Sequence, residues 1–117
     1  VRLPGRFQVV AGEPEWILDV AHNEPAAAVL AANLRARRPR GRTLAVVGIL
    51  ADKDVAAIGR VLAPCIDEWI LCSLEGPRAL SATALRERLL PRAAAAALAP
   101  DVASACALAR ARAGAAD

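Results

Sequence analysis

Residues 43–50 read TLAVVGIL, an apolar run bounded by Arg42 on one side and by Asp52, Lys53 and Asp54 on the other. No other stretch limits the fold as much. It is too short to stand as a buried helix, and it does not alternate as a strand with one wet face would. A short continuous apolar run is what a strand needs when both of its faces are covered. Parallel strands are covered in this way, by the helices that carry the chain back between them.

The remainder of the sequence supplies those helices. Residues 6–10 (RFQVV) and 16–20 (WILDV) predict two short strands, separated by turn residues at 12–15 (GEPE). A helix is predicted from Pro25 to about Arg38, with Val29, Leu30 and Leu34 on one face, Asn23 or Glu24 as its cap and Pro25 in its first turn. After the strand at 43–50, Asp52 or Asp54 caps a helix whose Val55, Ile58, Val61 and Leu62 point inward, and Pro64 ends it. Residues 68–73 (EWILCS) predict a further strand, and Ser81 or Thr83 opens a helix to about Leu90. A short edge strand is expected at 94–98, and Asp101 caps a last helix over 102–113.

Strands alternating with helices of this length imply right-handed crossovers. The expected fold is therefore α/β: one domain over residues 1–117, in three layers, with a mostly parallel sheet covered by helices. The sequence carries no Met, even at position 1, and the last predicted helix is followed by no strand. The expectation is of a piece excised from a larger protein and lacking a final strand and helix.

Composition removes several classes of function. No apolar run approaches a membrane span and the N-terminus is not a signal peptide, so no membrane partner is expected. Cys65, Cys72 and Cys106 are scattered, with no CxxC and no neighbouring His. They read as reduced, small apolar residues of a cytoplasmic protein, and no metal site is expected. The net charge is +3, with Arg35, Arg37, Arg38, Arg40 and Arg42 bunched together. With one Phe and two Trp available to stack bases, a solvated helix end is the better reading, and no nucleic-acid partner is expected.

Ligands of open α/β sheets bind beyond the carboxyl ends of the strands. In this sequence those ends carry Asp19, His22 and Asn23, then Asp52, Lys53 and Asp54, then Glu75 and Arg78. Each has a structural reading: a cap, a local pair or a solvated charge. Gathered on one rim, they favour a binding edge. Asp19 can accept bonds from ribose hydroxyls, and His22, three positions on, would face an anion at a helix N-terminus. Arg6 adds a guanidinium for phosphates. There is no GxxxxGK[ST] loop and no GxGxxG, so the chain does not cradle a triphosphate alone.

Four motifs in order and spacing, LPGRFQ at 3–8, ILDVAHN at 17–23, VGILADKD at 47–54 and LEGPR at 74–78, resemble the C-terminal domain of bacterial folylpolyglutamate synthase/dihydrofolate synthase, in the Mur ligase superfamily. Beyond Arg78 the resemblance rests on helix spacing. It implies a Rossmann-like domain of an ATP-dependent ligase. A P-loop domain upstream in the same chain holds ATP and Mg²⁺, and a carboxylate of dihydropteroate or a folate is phosphorylated. The amine of L-glutamate then attacks the acyl phosphate. The resemblance assigns Arg6 and Asp19 to ATP and His22 to catalysis, near the reacting phosphate or the incoming amino acid. Asn23, Lys53 and Arg78 are expected as rim or substrate contacts. The sequence departs from the family in having Glu24 between Asn23 and Pro25.

The alternatives are a cell-wall ligase domain of Mur type, a non-catalytic α/β binding module and a signalling receiver. A receiver needs an acidic pair after its first strand, where this chain has Val9, Val10 and Ala11. That reading fails.

Overall fold

The computed structural model describes residues 8–10, 16–18, 24–37 and 42–113. Strands β1 (Gln8–Val10) and β2 (Trp16–Leu18) pair antiparallel, with Val9 opposite Ile17. They form a two-stranded sheet of their own. Helix α1 (Glu24–Arg37) follows, then β3 (Leu44–Val47), α2 (Val55–Leu62), β4 (Glu68–Cys72), α3 (Ala82–Leu89), β5 (Ala97–Ala99) and α4 (Val102–Arg112). The second sheet has the order β3-β4-β5 and is parallel throughout, with Leu44 opposite Glu68 and Ile70 opposite Ala97. The α/β architecture with parallel strands and covering helices is as expected. The first two strands do pair as neighbours, but apart from that sheet.

Strand β4 is central, and its alternate residues divide the core. Trp69 and Leu71 join α1, α2 and α3 in one cluster with Val55, Ile58, Leu85 and Leu89. Ile70 and Cys72 join Ala99, Ala105 and Ala109 under α4 in another. These are the two faces of one sheet, with helices on both. The burial on both faces expected of residues 43–50 is corrected: β3 stands at the end of the order β3-β4-β5 and its residues are each half-buried, whereas four of the five residues of central β4 are buried.

Three caps fix the helix starts. Asp54, rather than Asp52, caps α2: its Oδ1 accepts the Ala57 N–H at 3.2 Å. Ser81, rather than Thr83, caps α3 by accepting the Ala84 N–H at 3.1 Å. Asp101 caps α4 as expected, accepting the Ser104 N–H at 2.7 Å. That bond favours the carboxylate, and the Asp101 pKa lies below its ordinary value. Pro64 sits in a 3₁₀ turn (Ala63–Cys65) directly after α2.

Two further expectations are corrected. Val29 does not share the inward face of α1; it is 61% exposed, whereas Ala27, Ala31 and Leu34 are buried and Leu30 packs beside them. At roughly 100° per residue, Val29 stands about 200° around the helix from Ala27. The inward stripe is mostly alanine, which lets α1 lie close to α2. The edge strand falls at Ala97–Ala99, not 94–98, because residues 91–95 are taken up by turns. There the N–H of Arg92 donates to the Leu89 carbonyl and that of Ala96 to the Ala93 carbonyl.

The opposite ends of β3 and β4 are clasped by charge. Glu68 pairs with both Arg42 and Arg112, and Arg42 also donates to the Arg112 carbonyl at 2.8 Å. The Thr43 N–H donates to Asp67 Oδ2 at 2.7 Å. Arg42, from the arginine-rich stretch, is thus a fastening between β3, β4 and α4.

Candidate functional site

At the carboxyl ends of β3 and β4 the chain makes two loops, residues 48–54 and 73–80. Gly48 lets them approach. A Cβ there would stand 2.7 Å from Leu74 Cδ2 and 3.0 Å from Cys72 Sγ, so the Leu74 side chain lies across the end of β3 only because position 48 has none. Gly76, with φ +109°, turns the second loop back. The loops are then joined by backbone. The Ala51 N–H donates to the Arg78 carbonyl at 2.7 Å, and Leu50 and Ala79 form an antiparallel bridge. Arg88, reaching from α3, donates to the Ala51 carbonyl at 2.8 Å.

This frame brings Lys53 and Arg78 to one carboxylate. Between them stands Asp52. Its Oδ2 accepts from Arg78 Nη1 at 3.0 Å, and its Oδ1 lies 3.9 Å from Lys53 Nζ. The side chains of Arg78, Asp52 and Lys53 are 67%, 40% and 32% exposed, so a ligand can reach all three. The Arg78 guanidinium and the Lys53 ammonium are donor groups that suit a carboxylate or a phosphate. Asp52 was placed on the rim, or as a cap, but given no role at the site, and Arg88 was missed: nothing in the sequence separates it from Arg86, the other arginine of α3.

Arg6, Asp19, His22 and Asn23 lie outside the described residues. Among the described residues no group of three or more His, Cys, Asp or Glu side chains is placed to hold a metal ion. Nor is any helix among them long and apolar enough to cross a membrane. The three cysteines carry free thiols; Cys72 is buried, and Cys65 and Cys106 are half-buried. Burial foremost, then the neighbouring Cys106 and Asp101, raises the Cys72 pKa, so its thiol stays protonated and packs as a small apolar group.

A family model described as "Mur ligase, glutamate ligase domain" matches residues 5–117. The chain belongs to that family. The match covers the stretch beyond Arg78 as well, where the sequence resemblance had rested on helix spacing. Among curated proteins, the glutamate ligase domain is similar to the dihydrofolate synthase/folylpolyglutamate synthase of Escherichia coli (strain K12). The two are 47% identical over 87 residues, which is 74% of this chain and 21% of that protein. The Haemophilus influenzae protein of the same name is 36% identical over 107 residues, 76% of this chain and 24% of its own length. Among solved structures, E. coli FolC in complex with ADP matches with a TM-score of 0.90 at 43% identity, covering 98% of this chain and 27% of that one. A bifunctional folylpolyglutamate synthase/dihydrofolate synthase with Mn, AMPPNP and L-glutamate bound matches with a TM-score of 0.86 at 45% identity, covering 99% and 27%. The chain thus spans about a quarter of the length of these relatives.

Proposed function

We propose that this glutamate ligase domain is the C-terminal domain of an ATP-dependent ligase that adds L-glutamate to dihydropteroate, folates or both, in the cytoplasm. One observation carries the reading: the similarity to FolC, at 43% identity and a TM-score of 0.90, extends over 98% of the chain. The relatives' structures hold ADP, or Mn with AMPPNP and L-glutamate. ATP and a divalent metal are accordingly the proposed cofactors, with the metal ligands in an upstream P-loop domain.

The rim residues have the chemistry for this role. Lys53 and Arg78 would hold a carboxylate of the incoming L-glutamate by charge-assisted hydrogen bonds. Orienting that carboxylate fixes where the amine points, and fixed orientation lowers the barrier to acyl transfer. Arg6 and Asp19 are proposed to contact ATP and His22 to act at the reacting phosphate or the amine, with Asn23 beside it. The metal and the phosphate cradle supply the phosphoryl chemistry. This chain's share is to bind, orient and exclude water.

The test is a coupled assay of ADP release by the complete ligase. Turnover should require L-glutamate together with dihydropteroate or a folate. Turnover on a UDP-linked muramyl peptide instead would assign the domain to a cell-wall ligase and overturn the reading. The 117-residue chain alone should release no ADP, because its sequence has no P-loop.

A further inference from the structure

We infer that Asp52 is an internal stand-in for the substrate carboxylate: it competes with the incoming amino acid for Arg78 and Lys53 and so sets how much amino acid the site needs. The inference rests on the reading of Lys53 and Arg78 as substrate contacts. Each Asp52 oxygen takes one cation, Oδ2 at 3.0 Å from Arg78 Nη1 and Oδ1 at 3.9 Å from Lys53 Nζ. A ligand carboxylate bound to the same two cations would take the same arrangement.

Asp52 has no other structural work. The cap of α2 is Asp54, whose Oδ1 takes the Ala57 N–H. Among the described residues, the Asp52 carboxylate meets only the two cations. The frame beneath does not depend on it, since the loops are joined through the Ala51–Arg78 backbone bond, the Leu50–Ala79 bridge and the grip of Arg88 on the Ala51 carbonyl. The Asp52 side chain is 40% exposed and that of Arg78 67%, so the pair is solvated and weakly held. It can open without disturbing the backbone.

The charge balance gives the consequence. With Asp52 ionised, the trio carries one net positive charge; without it, two. A ligand carboxylate that takes Arg78 Nη1 displaces Asp52, and one that binds the other N–H groups of the guanidinium lies beside the Asp52 charge. The apparent affinity of a site is reduced by the fraction of time its competent state is occupied. Asp52 therefore weakens binding of any anionic amino acid, and offsets one of the two positive charges until a second carboxylate arrives.

The experiment uses the complete ligase and steady-state kinetics with L-glutamate varied at saturating ATP and pteroate. Asp52→Asn keeps the size of the side chain and removes the charge. It should lower KM for L-glutamate by about three- to tenfold, the scale of one charge removed about 5 Å away in a solvated, nearly water-like setting, and move kcat less than KM. Asp52→Glu keeps the charge and should keep KM near that of the parent. Raising the salt to about 0.5 M should shrink the Asp52→Asn difference, because screening acts on charge and not on shape. A KM that is unchanged or higher in Asp52→Asn overturns the inference. Arg78→Gln separates the two ideas. If it raises KM and Asp52→Asn does not lower it, the substrate site stands and the competition falls. If it leaves KM unaltered, the rim is not the substrate's site and both fall.

Discussion

The two faces of the β3-β4-β5 sheet are covered by different materials. On one face α1, α2 and α3 bury Trp69, Leu71, Ile58, Leu85 and Leu89. On the other, among the described residues, α4 meets Ile70, Cys72 and Ala99 through Ala105 and Ala109. One strand serves both, sending Trp69 and Leu71 to the thick face and Ile70 and Cys72 to the thin one. Buried apolar area supplies stability roughly in proportion to its amount. The thick face should therefore carry most of the domain's stability. The thin face gains from alanine only that the α4 backbone can lie close to the sheet. Val102 on α4 stays 49% exposed, which marks how little of that helix is covered.

The contrast can be broken by substitution. The largest effect is expected for Leu71→Ala. Leu71 is fully buried in the thick face, and leaving a cavity there should cost about 3–5 kcal/mol, read as a drop in the urea midpoint of the 117-residue chain. Ile70→Ala, next to it in sequence but under α4, removes the same number of carbons and should cost less, about 2–3 kcal/mol. A cost for Ile70→Ala equal to that of Leu71→Ala would show the two faces to be energetically alike. The smallest effect sharpens the comparison by pH. The folded-state pKa of Asp101 is lowered, so its contribution to α4 is fully present above the ordinary value of 3.8 and is lost as pH falls through the lower folded value. Asp101→Asn should therefore destabilise the chain slightly at neutral pH and make no difference in strong acid. A difference that persists unchanged to the lowest pH would mean that Asp101 does not act through its charge.

Much of this was legible in the sequence, for physical reasons. The strand within 43–50 declared itself by its unbroken apolar run, although β3 is half-buried and the fully covered strand is β4. Asp101 was identifiable as a cap because it stands alone before its helix. Where two candidates stood close together, spacing did not choose. Asp52 and Asp54 both precede α2, and the choice depends on which carboxylate reaches the Ala57 N–H. The same holds for Ser81 and Thr83 before α3. The alanine stripe of α1 was missed because alanine weighs little in a hydrophobic pattern, although closeness of packing depends on it. The shift of β5 arose in an alanine-rich stretch with no alternation to fix its register. Of the site, the meeting of Lys53 with Arg78 followed from the rule that strand ends gather on one rim. The pairing of Asp52 with Arg78 did not, because that partner comes from a loop 26 residues on.

The bond from the Thr43 N–H to Asp67 joins residues 24 positions apart at the first rung of the β3–β4 pairing. Parallel strands cannot zip outward from a hairpin, so this pairing must begin with the closure of a long loop. The entropy of that closure is spent before any rung forms, and it is smaller if the intervening chain is already wound into α2. The Asp54 cap and the Thr43–Asp67 clasp therefore both bear on the entropy of that closure. The first shortens the chain that must be searched, and the second secures the ends once they have met.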